Sequence, residues 1–262
     1  MNNIYSNVEI SNINNYIQNL SIFENKLEII KCLHSTSKRA IYKVKDLEFN
    51  KICIAKFIIK DNISKKTLEI LNLIKKNKHK NINSIYEIGE INSFYVILCE
   101  YIEGKSLKEF IQNNTNLKDF EFVFNQILEG IKFLHTNNII HSDIKPSNII
   151  VNDNLDVKLI DFDSSILLKK KNSIKLNLII GTPPFIAPEI LNNKTYYYKS
   201  DLWSLGSCII YCINKKNRDF SNINIDILEK RVGKKISLLI KDMIKEINNR
   251  PDIKMILEKI KN

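Results

Sequence analysis

IIHSDIKPSNIIV, residues 139–151, sets His141, Asp143, Lys145 and Asn148 in a short polar loop between two apolar, β-branched ends. Such a pattern reads as strand, loop, strand, and Pro146 restricts the loop's backbone. Chemistry-bearing side chains on a loop held at both ends make a candidate reaction centre; a solvated turn is the plainer alternative. Eighteen residues after Asp143, DFD at 161–163 closes another apolar run, VKLID. Two carboxylates and an amide at neighbouring strand ends suit a hard cation, Mg2+ or Mn2+, which prefers a few protein oxygens completed by phosphate oxygens. Upstream, Lys56 lies inside the strand-like CIAKF, and Glu69 in the helical stretch after it is its candidate partner. A surface ion pair of little worth is the alternative there.

Outward from that loop, the chain changes character once. KLEIIKCL, AIYKVKDLEF and KICIAKFIIK, between Lys26 and Lys60, are β-type runs. ISKKTLEILNLIKKNK has the helical period, with Leu68, Leu71 and Ile74 on one face. NSIYEIGEI and SFYVILCEYI add two strands around a turn at Asn92. After EGKSL, DFEFVFNQILEGIKFLHTNN reads as a long amphipathic helix closed by Asn. NIIV and VKLID follow as short strands, and residues 164–186 as a long irregular stretch of the length that carries function. KSDLWSLGSCIIYCI, KISLLIKDMIKEI and PDIKMILEKI read as helices. A sheet-rich part followed by a helical part puts a cleft near residue 101.

Composition excludes several classes. With 262 residues, 44% apolar and 26% charged, the chain is globular rather than disordered. The net charge of +11 comes mostly from scattered Lys. No nucleic-acid motif accompanies it, so a solvated basic surface is expected and nucleic acid is not an expected partner. The five cysteines, Cys32, Cys53, Cys99, Cys208 and Cys212, include no pair with redox or zinc-knuckle spacing. That usage points to a reducing, intracellular, cytoplasmic setting. The first twenty residues lack a signal-peptide core, and no apolar run has the length to span a bilayer.

Taken in order, IAK (54–56), HSDIKPSN (141–148), DFD (161–163), GTPPFIAPE (181–189), SDLWSLG (200–206) and NNRPD (248–252) resemble the successive motifs of the protein kinases across residues 26–262. The resemblance implies an α+β, bilobal protein-kinase-like fold. A small β-rich N-lobe would cover about 26–101 and a larger helical C-lobe about 102–262, after an N-terminal extension at 1–25. It implies ATP and Mg2+ as cofactors. Asp143 would accept the hydroxyl proton, with Lys145 steadying the transferring phosphoryl group. Asn148 and Asp161 would hold the metal, and Lys56, held by Glu69, would contact the α and β phosphates. By the same resemblance Cys99 would fall at the gatekeeper position, Glu100 to Ile102 would form the hinge whose backbone bonds adenine, and Leu33 and Ile41 would cover the ring. Glu189 and Arg250 would form a buried pair, Asp201 would brace the catalytic loop, and His141 would pack rather than react. Thr182 is expected near Asp143 and Lys145.

The sequence departs from the family pattern at the nucleotide loop. His34, Thr36 and Arg39 stand where the family has glycines, whose bare backbone lets amides close on phosphates. Weaker ATP binding is the expected result, partly offset by Arg39. Asp163 replaces the Gly of Asp-Phe-Gly. Ser142 replaces the Arg of His-Arg-Asp, which removes the usual receiver for a phosphate on the activation segment. The interval after the Trp203 helix is short, so the family's substrate-docking helix is expected to be reduced.

The implied activity is that of a serine/threonine protein kinase, with Lys145 and GTPPF favouring Ser/Thr over Tyr. The alternative is a pseudokinase serving as a binding or scaffolding module, which the missing glycines favour and the retained Lys56, Glu69, Asp143, Asn148 and Asp161 oppose. A small-molecule kinase is opposed by GTPPFIAPE and SDLWSLG, which form a peptide-substrate platform. The expected partner is a protein substrate, with acidic ones attracted to the run Lys169, Lys170 and Lys171 where that run does not simply stay solvated. The sequence sets no oligomeric state.

Overall fold

The computed structural model describes residues 26–169, 171–214 and 224–261. The extension expected over 1–25, and Lys170 of the lysine run, lie outside them. The chain forms two compact units, one from residues up to Lys78 plus Ser84–Tyr101, the other from His79–Asn83 plus Ile102 onward.

Among the described residues the first unit is a five-stranded antiparallel sheet with one α-helix. Its strands are β1 (Leu27–Ser35), β2 (Arg39–Asp46), β3 (Lys51–Ile59), β4 (Ile85–Ile91) and β5 (Phe94–Glu100), in the order β1-β2-β3-β5-β4. Alternation explains the buried face: Ala40, Tyr42 and Val44 from β2 meet Cys53, Ala55 and Phe57 from β3 and Val96 and Leu98 from β5. Tyr42 packs edge-on against Phe57 at 5.8 Å between ring centres, a favoured aromatic arrangement. The opposite face carries Ile41, Lys56 and Ile97, paired in one row across three strands. The β2 run stops at Asp46, earlier than the apolar pattern predicts, because Asp46 Oδ1 accepts the amides of Glu48 and Phe49 and folds the chain into a turn. Asn92, at φ 46, makes the turn between β4 and β5, a conformation that Asn tolerates. Helix α1 (Lys65–Lys76) starts where Ser64 accepts the Thr67 amide and buries Ile70, Leu71 and Ile74.

The second unit is mainly helical. Its helices are α2 (Leu107–Asn113), α3 (Leu117–Thr136), α4 (Pro188–Asn193), α5 (Tyr198–Ile213), α6 (Ile225–Val232), α7 (Lys234–Met243) and α8 (Ile253–Lys261). Helix α3 buries Phe120, Val123, Phe124, Ile127, Ile131 and Leu134 along one face, and α5 is buried over most of its length. Short strands complete the unit: β6 (Lys105–Ser106), β7 (Ile139–Ile140), β8 (Ile149–Val151), β9 (Val157–Leu159), β10 (Ile166–Leu167), β11 (Ser173–Lys175) and β12 (Thr195–Tyr197). Strands β6, β8 and β9 form one small sheet, while β10 pairs with β7 and β11 with β12. The segment 79–83 is tied in by Asn81, whose side-chain amide donates to Gln126 Oε1 at 2.9 Å and to Val157 O at 3.1 Å.

Two further features differ from the sequence reading. Residues 164–186 are not wholly irregular, since β10 and β11 lie within them. Helix α2 begins at the last residue of EGKSL, opened by a capping box of Ser106 and Glu109. Helix α6 occupies the interval where a reduced docking helix is expected; residues 215–223 of that interval lie outside the described residues. Among the described residues no helix is long and apolar enough to cross a membrane.

Candidate active site

The opening loop runs from the end of β7 to the start of β8, and its backbone is held from below. Asp201, 1% exposed on α5, accepts the amides of His141 at 2.9 Å and Ser142 at 3.0 Å. His135, in the last turn of α3, places Nε2 2.9 Å from the same carboxylate. A buried carboxylate with three donors is well satisfied, and it holds Ser142 at φ 68, outside the region most residues adopt. Sequence reasoning missed His135, because a lone histidine at a helix end carries no motif. His141 is fully buried; its Nε2 faces Ile160 O at 3.1 Å and its Nδ1 accepts the Asp143 amide at 3.3 Å. The tautomer satisfying both bonds carries its proton on Nε2. It packs and orients, as expected.

On that base stands a compact polar group. Lys145 Nζ donates to Asp143 Oδ2 at 2.6 Å and to Thr182 Oγ1 at 3.0 Å. Thr182 Oγ1 donates to Asp143 Oδ1 at 2.6 Å. Asn148, 4% exposed, gives its side-chain amide to Asp143 O at 2.9 Å and Oδ2 at 3.3 Å. Both carboxylate oxygens of Asp143 are thus aimed by neighbours, and the expected position of Thr182 is borne out. Gly181, at φ 126, delivers Thr182: a side chain there would sit 3.1 Å from Ser142 O and Ile186 Cγ1.

Asp161 enters beside this group, because the Ile160 amide donates to Asn148 O at 3.0 Å and β8 pairs with β9. Asp161 takes φ 67, a second left-handed position at the loop ends. Asn148 commits its amide nitrogen to Asp143, which leaves Oδ1 as the atom able to face a cation. Two hard oxygen donors, with the rest of the shell left to phosphate and water, fit Mg2+. Among the described residues no three His, Cys, Asp or Glu side chains gather into a self-sufficient metal cage.

The segment beyond β10 is held through its backbone. Strand β11 pairs with β12, Leu176 donates to Lys194 O at 3.0 Å, and the Ile180 amide donates to Tyr196 Oη at 2.5 Å. Below it, Glu189 and Arg250 form the expected pair: NH1 to Oε1 is 2.7 Å and NH2 to Oε2 is 3.1 Å, with the Arg250 side chain fully buried. Ser200 Oγ donates to Glu189 Oε1 at 2.7 Å, and the guanidinium carbon lies 5.1 Å from the centre of the Trp203 ring.

The remaining candidates belong to the first unit, except Ile102. Lys56 is half-buried on β3, opposite Ile41 of β2, and Glu69 is exposed on α1. Leu33, 46% exposed, is the residue at the register shift between Cys32 and His34. Cys99 is buried on β5, and Glu100 ends that strand with its amide donated to Ser84 O at 2.9 Å. Ile102 is half-buried at the start of the second unit.

A family model described as the protein kinase domain matches residues 35–261. The chain is 33% identical over 179 residues to serine/threonine-protein kinase polo of Drosophila melanogaster, covering 66% of this chain and 31% of that protein. It is 31% identical over 217 residues to serine/threonine-protein kinase nekl-2 of Caenorhabditis elegans, covering 71% and 58%. Calcium-dependent protein kinase 4 of Plasmodium berghei is 31% identical over 255 residues, covering 88% of this chain and 48% of the relative. The chain therefore spans less than two thirds of the length of each of these relatives.

Proposed function

The chain belongs to the protein kinase domain family, and from that premise we propose that it is a serine/threonine kinase transferring the γ-phosphate of ATP to a protein hydroxyl. The observation carrying this reading is the group around Asp143, whose two carboxylate oxygens are aimed by Lys145, Thr182 and Asn148. A carboxylate so fixed can orient an acceptor hydroxyl and take its proton as the oxygen bonds to the γ-phosphorus and the bridging bond to ADP breaks. Lys145 lies within reach of the same carboxylate and supplies positive charge where the transferring group is most negative. Asn148 and Asp161 would hold Mg2+, which neutralises phosphate charge when bound. Lys56 is assigned to the α and β phosphates with Glu69 as its partner. The Glu100–Ile102 backbone is assigned to adenine, and Leu33 and Ile41 to its faces.

The retention of the whole Asp143 group supports transfer rather than a silent binding module. The excess of lysine supports acidic protein substrates, steered by long-range attraction. The cysteine usage supports an intracellular, reducing setting. The test is incubation of the purified chain with Mg-ATP and a generic acceptor protein, followed by phosphoamino-acid analysis. Phosphoserine and phosphothreonine are expected. Phosphotyrosine alone, or no transfer above the Asp143→Asn background, would reject the reading.

A further inference from the structure

Resting on the kinase reading, we propose that the Thr36 hydroxyl is a built-in competitor for the nucleotide's phosphate, occupying the amides at the tip of the β1–β2 hairpin. Thr36 Oγ1 accepts the amide of Lys38 at 3.3 Å and that of Arg39 at 3.2 Å, and lies 3.3 Å from Arg39 O. The turn is closed by the Thr36 amide donating to Arg39 O at 2.8 Å and anchored to β3 by the Ile59 amide donating to Lys38 O at 3.1 Å. A backbone concavity whose amides converge on one oxygen is the kind of arrangement that binds a phosphate oxygen. Here the oxygen is supplied from within the chain.

The location fits that role. His34 of β1 pairs with Ile41 of β2, which pairs with Lys56 of β3, the residue assigned to the phosphates. Arg39 pairs with Ile58, two residues beyond Lys56 along β3, or roughly 7 Å at the usual rise of a strand. The tip is therefore a close neighbour of that lysine within one sheet. A phosphate approaching the tip must displace Thr36 Oγ1 from two amides before it can accept from them. The missing glycines thus act through more than bulk: one of their replacements consumes the donors that a glycine would leave open.

Thr36 is exposed, so removing its hydroxyl leaves the two amides to water rather than stranded, and the hairpin keeps its register with β3. Thr36→Val keeps the branched shape and Thr36→Gly removes the side chain; both lose the competing oxygen. Calorimetric titration of the full chain with ATP, ADP and adenosine, in Mg2+, tests the proposal. Both variants should bind ATP and ADP about three- to tenfold more tightly, the worth of one or two net hydrogen bonds, with adenosine affinity unchanged. Unchanged or weaker ATP binding in both variants would overturn the proposal, as would an equal gain for adenosine, which carries no phosphate. A parent chain that binds no ATP would instead reject the kinase reading on which the proposal rests.

Discussion

Thr182→Val replaces a hydroxyl by a methyl of similar size and leaves Asp143 without the 2.6 Å bond to Oδ1 and Lys145 without its 3.0 Å acceptor. Each lost bond involves a charged partner, and such bonds contribute about 1.5–3 kcal/mol. If the worth of the Asp143 bond alone is realised in the transition state, kcat falls by about ten- to 150-fold. The ATP KM should stay within about twofold, because the hydroxyl touches the residues of transfer and none of those assigned to the nucleotide. Thr182→Ser restores the hydroxyl and should recover most of the rate. Thr182 is only half-buried, so water replaces part of the lost bonding and the melting temperature should fall by no more than a few degrees. Steady-state kinetics on an acceptor peptide read all of this. A Thr182→Val enzyme with parental kcat would refute the view that Asp143 is aimed through this hydroxyl.

Arg250→Met strands the buried Glu189 carboxylate and should destabilise the chain by about 3–5 kcal/mol, read as a lowered denaturant midpoint; a shift under 1 kcal/mol would contradict the pairing. Activity should survive phosphatase treatment and Ser173→Ala, since the β11–β12 pairing and the Tyr196 hydroxyl, which accepts the Ile180 amide, already hold the segment; loss on dephosphorylation, restored by rephosphorylation, would contradict this. Burial raises the Asp242 carboxyl, but the bonds from Lys245 and Lys259 outweigh it and hold the group below its ordinary 3.8. Its folded-state value is depressed, so the stability it confers is present above 3.8 and lost as pH falls through the lower folded value. Lys259→Met should therefore shallow the acid limb of a stability-against-pH curve, and an unchanged limb would count against the contact.

The motifs spoke most clearly where chemistry constrains residue type. Asp143, Lys145 and Asn148 sit close in sequence, so a single loop brings them together, and Asp161 joins them through one short hairpin. Glu189 and Arg250 are 61 residues apart, and the pair was readable only because GTPPFIAPE and NNRPD resemble the family's motifs, not from any spacing rule. His135 was not readable: it meets Asp201 across 66 residues through the packing of α3 against the loop, and no spacing rule encodes that. Strands β10 and β11 are two and three residues long, too short for alternation to register. Helix α2 was hidden because EGKSL resembles a turn, although its capping box was present in the residues. At the hairpin the missing glycines were visible in the sequence, whereas the capture of the tip amides by Thr36 depends on the turn that forms.

Phosphate transfer measured side by side for the parent, Asp143→Asn and Asp161→Ala addresses the central claim that one metal-assisted site in the second unit performs the chemistry. Each variant should keep the parental circular dichroism spectrum while turnover drops by about two to four orders of magnitude. Parental turnover in both variants would contradict the claim.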